Sequence, residues 1–107
     1  RREVRVLVMA SERDVARYRA EVAAALTQSQ ATGEARFMIL ATEHSSDVSA
    51  SRGGLLDPVG RYDVTYPDAF REAVFEAQVG TLTPVVALDE GFAVAQSDQH
   101  VFAHHSL

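Results

Sequence analysis

Hydrophobic and polar positions alternate over residues 4–8, where VRVLV carries β-branched side chains, and this run predicts a first strand. Ser11 then offers an N-cap for a helix. Apolar side chains recur after it at spacings of three and four, namely Val15, Tyr18, Val22 and Leu26. Such spacing is typical of an amphipathic helix packed on a sheet. We expect this helix to end at Thr32-Gly33.

Two further helices follow in the pattern. The second is expected over about residues 34–43, with Phe37, Leu40 and Ala41 on one side. A segment rich in Ser, Asp and Gly at 44–54 then predicts a loop. Pro67 suits the first turn of a third helix, which we expect to stop by Gly80.

The last apolar runs predict two strands, at 82–88 and 92–96. The link 89–91 ends in Gly91, which can adopt a positive φ, so we expect a hairpin turn. The first strand must join this hairpin to bury its apolar side chains. The predicted fold class is therefore α+β, a small antiparallel sheet covered by three to four helices.

Composition narrows the classes of function. The 107 residues, of which 47% are hydrophobic, suit one globular domain. The net charge of −5 argues against a general affinity for nucleic acid or for an anionic membrane. The chain has no cysteine and no apolar run near the ~18–20 residues of a membrane span. We therefore expect no thiolate chemistry and no insertion of this segment into a membrane.

Several short segments resemble motifs of one known family. They are FMILATEHS at 37–45 (family "FAELAKEYS"), HSSD at 44–47 ("HS-x-C" or "YS-x-D"), GGLL at 53–56 ("GGDL"), FREAVF at 70–75 ("FEDAAF"), GTLT at 80–83 ("GEIS") and GFAV at 91–94 ("GYHI"). In order and spacing, over residues 4–97, they resemble the parvulin (PpiC-type) family of peptidyl-prolyl cis-trans isomerases, or rotamases.

The resemblance implies a site. It places Asp47 where parvulins carry an active-site cysteine or aspartate, which makes Asp47 the catalytic candidate. It assigns the apolar pocket for the substrate proline to four other side chains: Leu56, Tyr66, Phe70 and Phe92. The usual alternative for each of these is a core or turn residue, and Asp47 in a Ser-rich loop is a common turn former.

The chain departs from the family pattern at its core histidines. Arg5 stands where the "HILV" strand begins with histidine, and Ala93 replaces the histidine of "GYHI". The family's pocket threonine falls at Leu88. The polar network between the histidines is thus largely lost, and an Arg5–Asp47 ion pair is one conceivable replacement.

The resemblance implies a foldase domain of the bacterial cell envelope or periplasm, which acts as a chaperone on proline-containing segments of unfolded client proteins. No cofactor or metal is implied. The loss of the histidines leaves the activity open. The alternative is a non-catalytic relic that binds peptide or packs against other domains of its parent protein, and a third reading is an unrelated α+β domain.

Domain limits are expected at 1–98, with residues 99–107 forming a tail or the start of a linker. The chain begins Arg1-Arg2 without an initiator Met, which is expected of a piece of a longer protein. His100, His104 and His105 have a spacing that can hold a metal, but no carboxylate pattern accompanies them, so we expect a solvated or interdomain segment.

Overall fold

The computed structural model describes residues 1–97, which form three α-helices, one 3-10 helix and one sheet. The elements in chain order are β1 (Val4–Met9), α1 (Glu12–Leu26), α2 (Gln30–His44), a 3-10 helix (Val48–Arg52), α3 (Asp68–Glu76), β2 (Val86–Leu88) and β3 (Gly91–Ser97). This arrangement confirms the predicted α+β class.

The three strands lie in the order β1-β3-β2, so the last strand is the central one. Both pairings are antiparallel, with Met9 opposite Phe92 in one and Val86 opposite Ala93 in the other. β2 and β3 form the predicted hairpin, and Gly91 at its turn has a φ of 152°. The first strand joins the hairpin as expected.

Because side chains alternate across a sheet, its two faces carry different cores. One face packs against α3, and its buried side chains are Val4, Val6, Val8, Val59, Phe70, Val74, Ala93 and Ala95. The other packs against α1 and α2, and its buried side chains are Leu7, Val15, Val22, Phe37, Leu40, Ala41 and Val94. We call these two sides of the sheet the α3 face and the α1/α2 face.

The expected end of the first helix at Gly33 is wrong. α1 ends at Leu26, and a new helix begins after Ser29, whose side chain accepts a hydrogen bond from the Thr32 amide. Gly33 lies inside α2, where a Cβ atom would come within 2.2 Å of Leu26 Cδ2. The glycine therefore serves the close approach of two helices rather than a helix end.

The expected strand at 82–88 is interrupted. Leu82 bridges Gln96, and Val86 pairs with Ala93. The chain therefore advances four residues from Leu82 to Val86 while β3 advances three between their partners. The extra residue forms a bulge around Pro84, which lacks the N–H that a regular ladder needs. Thr83 maintains the contact, since its hydroxyl accepts a hydrogen bond from the Ala95 amide at 3.0 Å.

The expected tail at 99–107, the domain limit at 98 and the three C-terminal histidines lie outside the described residues. Within residues 1–97, no helix is long and apolar enough to cross a membrane. The same part of the chain holds no group of three or more His, Asp or Glu side chains placed to bind a metal ion.

Candidate functional site

An open pocket of about 200 Å³ lies on the α3 face of the sheet. Its floor is the β1 strand, one wall is α3 with the loop before it, and the hairpin closes one end. The lining residues are Val6, Val8, Asp47, Leu56, Thr65, Tyr66, Pro67, Phe70, Leu88 and Glu90. A largely apolar slot with a few polar groups at its edge is the usual form of a ligand site.

Paired glycines bring Leu56 into this pocket. Gly53 ends the 3-10 helix with a φ of 65°, and Gly54 follows with a φ of 85°. A Cβ atom on Gly54 would lie 2.5 Å from the Val6 carbonyl oxygen, so only glycine fits so close to β1. The Val6 amide donates to the Gly54 carbonyl and the Leu56 amide to the Val4 carbonyl, both at 2.9 Å. The turn thus holds Leu56 along the edge of β1.

Tyr66 and Phe70 form the aromatic side of the pocket. Their ring centroids are 6.0 Å apart with planes tilted by 36°, a favourable aromatic geometry. Phe70 is buried on α3, whereas Tyr66 is half-buried and its hydroxyl donates to the Asp57 carbonyl at 3.3 Å. Arg71 positions the loop, because its Nε donates to the Tyr66 carbonyl and its Nη1 to the Arg61 carbonyl.

Asp47 is held at the rim by its own turn. Its Oδ2 accepts hydrogen bonds from the Ser49 amide at 3.0 Å and the Ser49 hydroxyl at 2.5 Å, so it caps the 3-10 helix. The residues before it are tied to β1, since the Val8 amide donates to Ser45 Oγ and the Ser46 amide to the Val8 carbonyl. Asp47 therefore combines the expected turn role with a place on the pocket.

Burial and three nearby carboxylates set the ionisation of the Tyr66 phenol at the pocket mouth. Partial burial raises the pKa of the Tyr66 phenol above its ordinary value of 10.0, and the charges of Asp57, Asp63 and Asp47 raise it further against an opposing effect of Arg52. Hydrogen bonds from the Thr65 side chain and amide lower the pKa of the Asp63 carboxyl, which keeps it ionised. Tyr66 is thus a neutral hydrogen-bonding group at neutral pH.

The structure brings together four of the five residues that the resemblance assigned to the site: Asp47, Leu56, Tyr66 and Phe70. Phe92 is the exception. It lies opposite Met9, and both side chains pack with the α1/α2 face, on the other side of the sheet from the pocket. The assignment of Phe92 to this pocket is wrong because neighbouring strand positions point to opposite faces.

Arg5 also lies away from the pocket. It follows the alternation of Leu7 and Met9 toward the α1/α2 face, and its Nη1 donates to the Arg52 and Gly53 carbonyls at 3.3 Å. It makes no ion pair with Asp47 among the described residues. Ala93 is fully buried on the α3 face, so Arg5 and Ala93 do not share a site. Their correspondence to the family's histidines stays a prediction.

Pocket residues that the sequence reasoning missed lie mainly on β1 and around Pro67. Val6 and Val8 point into the pocket, and their alternation with Leu7 was the available signal. Leu88 was noted only as the family's threonine position. Glu90 and Thr65 carried no local pattern, because a hairpin turn and a loop become neighbours only in the folded chain.

Fold and pocket together define a class: a small α+β domain with an apolar, acid-rimmed slot. The family model "Rotamase: PPIC-type PPIASE domain" matches residues 4–99. The chain therefore belongs to the PPIC-type, or parvulin, rotamase family.

One individual relative agrees with this assignment. "Peptidyl-prolyl cis-trans isomerase Pin1" of Malus domestica is 42% identical over 60 residues, which are 56% of this chain and 48% of the relative. The match thus spans about half of that relative's length.

Two solved structures share the fold. One comes from Campylobacter jejuni, from the pair PEB4 and Cj1289 that is described as SurA-like chaperones. Its TM-score is 0.76 at 23% identity, and the match covers 92% of this chain and 38% of that chain. The other is PrsA from Bacillus subtilis, with a TM-score of 0.69 at 22% identity. That match covers 92% of this chain and 34% of the PrsA chain.

Proposed function

We propose that this domain catalyses cis-trans isomerisation of Xaa-Pro bonds in polypeptide segments. The observation that carries the proposal is the slot between Leu56, Tyr66 and Phe70, with Asp47 at its rim, in a domain of the PPIC-type family. The slot has a volume of about 200 Å³, is open to solvent and is lined mainly by apolar side chains. A free polypeptide segment can therefore enter it.

The reaction changes no covalent bond. Rotation about the amide passes a barrier of about 18–20 kcal/mol, because the planar amide loses its resonance in the twisted state. A site accelerates it by binding the twisted state more tightly than either planar form. In this pocket, the pyrrolidine ring would pack against Leu56, Tyr66 and Phe70. The carbonyl that precedes the proline would then be free to rotate at the polar rim.

Asp47 is the candidate for that polar edge. No histidine lines the pocket among residues 1–97, since His44 stacks on Tyr18 with ring centroids 4.6 Å apart, on the α1/α2 face. The Ser49 hydrogen bonds orient the Asp47 carboxylate in advance, and a preorganised charge acts on a changing dipole without reorganising. We propose an electrostatic and positioning role for Asp47 rather than proton transfer.

We further propose that the domain works as a folding factor on proline-containing client proteins, in the cell envelope and next to other domains of a longer protein. The support is the likeness in fold to chains described as SurA-like chaperones, one named a periplasmic protein, and to PrsA. This chain covers little more than a third of each of those two chains.

The test is NMR exchange spectroscopy on a short Ala-Pro peptide with the domain added. Uncatalysed exchange takes tens of seconds or longer, so faster exchange demonstrates catalysis. Leu56→Ala should lower kcat/KM about tenfold or more, which corresponds to losing one good apolar contact, ~1.4 kcal/mol. Leu26→Ala is the matched control, because Leu26 is a partly buried leucine on the α1/α2 face, and it should leave the exchange rate unchanged in folded protein.

Shifted peptide resonances without acceleration would overturn catalysis and support the non-catalytic peptide-binding alternative. Equal losses in the two leucine variants would overturn the assignment of the pocket.

A further inference from the structure

Two carboxylates from separate elements of the fold line the pocket. Asp47 approaches from the turn before the 3-10 helix, and Glu90 approaches from the exposed turn of the β2–β3 hairpin. No arginine is among the pocket-lining residues, and the chain contains no lysine. Within residues 1–97, neither rim carboxylate takes part in the ion pairs Asp14–Arg17, Glu43–His44 and Asp68–Arg71.

Two arginines beside this pocket, Arg52 and Arg71, keep their charge but direct their N–H groups mainly to backbone carbonyls. Arg52 donates through Nε and Nη2 to the Leu55 carbonyl, at 3.2 and 3.1 Å. Arg71 is tied to the carbonyls of Tyr66 and Arg61 and to the Asp68 carboxylate. Their guanidinium groups hold the backbone of the pocket walls.

Further acidic groups lie around the same opening. The charges of Asp57 and Asp63 both disfavour the Tyr66 phenolate and Arg52 opposes them, while Arg1 and Arg71 act in turn on Asp63. Asp57 is exposed and Asp63 is partly exposed on the loop that forms the aromatic wall. A peptide entering the slot therefore passes carboxylates along the loop and at the rim.

We infer that this pocket selects prolines that have a lysine or arginine as an immediate neighbour in the client chain. The inference rests on the proposed function and specifies its substrate. The proline ring would fill the apolar slot between Leu56 and Phe70, and the adjacent cationic side chain would lie between Asp47 and Glu90. A glutamate or aspartate in that place would meet like charge from both carboxylates.

The size of the preference follows from the exposure of the rim. Exposed opposite-charge pairs are worth little each, and like-charge contacts cost a similar amount, so we expect kcat/KM for Lys-Pro to exceed that for Glu-Pro about 3- to 10-fold. Added salt should reduce the ratio, because the Debye length falls to ~3 Å at 1 M.

The experiment compares two peptide series that differ only in one residue, Xaa-Pro and Pro-Xaa, where Xaa is Lys, Arg, Gln, Ala or Glu. Catalysed exchange is measured by NMR at low and at 1 M salt. The readout is the ratio of kcat/KM for Lys to that for Glu within each protein, so a general loss of activity cancels. The series with the larger ratio shows on which side of the proline the cation binds.

Three variants locate the preference. Asp47→Asn keeps an oxygen that can still cap the 3-10 helix, and Glu90→Gln changes only an exposed turn residue. Each should reduce the Lys-to-Glu ratio by about half or more, and the double variant should bring it close to one. Glu21→Gln removes the same charge from the exposed surface of α1, on the opposite side of the sheet, and should leave the ratio unchanged.

The outcomes separate the two proposals. Acceleration of no peptide overturns the proposed function itself. Acceleration of all peptides with a flat or glutamate-favouring ratio overturns the cation preference alone. A ratio that falls as much in Glu21→Gln as in Glu90→Gln would show that overall net charge, and not the pocket rim, sets the preference.

Discussion

The two faces of the sheet are built differently. On the α1/α2 face, two 15-residue helices cover the strands and bury a continuous set of aliphatic side chains around Phe37, which is 1% exposed. On the α3 face, one nine-residue helix and a long loop cover the same strands only in part. The pocket is what remains uncovered there.

The difference separates stability from function. A face closed by two helices gains the free energy of apolar burial and leaves no room for a ligand. A face covered by one short helix leaves part of its apolar surface open, and the half-buried Leu56 and Tyr66 line that opening. We therefore expect substitutions on the α1/α2 face to lower mainly the free energy of unfolding, and substitutions on the α3 face to lower mainly the rate of catalysed exchange.

The largest effect is expected for Phe37→Ala. Removing a fully buried phenylalanine should lower the free energy of unfolding by about 3–5 kcal/mol, because the neighbouring helices cannot fill the cavity. Leu56→Ala on the open face should lower it by only about 1–2 kcal/mol, since part of that side chain is already in water. Urea unfolding followed by circular dichroism measures both values.

The expected difference between the two faces is wrong if Leu56→Ala lowers the free energy of unfolding as much as Phe37→Ala does. The α3 face would then be as tightly closed in solution as the other. Where Phe37→Ala leaves too little folded protein to measure, Phe37→Leu offers a smaller change with the same expected order.

An intermediate effect is expected for Gly33→Ala. The new methyl group would overlap Leu26, which lies 2.2 Å from the ideal Cβ position, and overpacking of this kind costs about 1–3 kcal/mol. Because the obstacle is a side chain, the double variant Gly33→Ala/Leu26→Ala should recover part of that loss. If Gly33→Ala costs as much in the Leu26→Ala background as in the wild type, α1 and α2 do not pack through this contact.

The smallest effect is expected for Tyr66→Phe on the open face. Loss of the hydrogen bond to the Asp57 carbonyl should cost about 0.5–1 kcal/mol at neutral pH. The raised pKa means that the folded state holds the phenol proton more tightly than the unfolded state. The resulting stability is full below pH ~10 and is lost as the pH rises through the folded pKa.

Two measurements check this expectation. The difference in ultraviolet absorbance between wild type and Tyr66→Phe should titrate with a midpoint above 10.0, the ordinary tyrosine value. The stability of the wild type relative to the variant should fall only on the alkaline side of pH ~10. A midpoint below the ordinary value would contradict the half-buried, acid-surrounded position of Tyr66.

Several elements were predictable because their signals are local. The apolar spacing of Val15, Tyr18, Val22 and Leu26 depends on the helical period alone, and all four pack on the α1/α2 face. The turn at Gly91 was equally clear. Gly33 was misread because a glycine that ends a helix and one that admits a neighbouring helix look the same in sequence.

The site was predictable only in part. Motif order located Asp47, Leu56, Tyr66 and Phe70, which lie far apart in the chain and meet at one pocket. Phe92 was misplaced because the resemblance did not specify which face of the strand it occupies. A shift of one position in a strand moves a side chain to the other face.

The sequence by itself determined the class of fold, the order of its elements and the family, because hydrophobic period, caps, glycines and motif spacing are properties of neighbouring residues. The tertiary structure decided which side chains share the pocket and that two carboxylates, 43 positions apart in the chain, line it. Strand register and helix coverage are set by contacts between distant segments, and no local pattern records them.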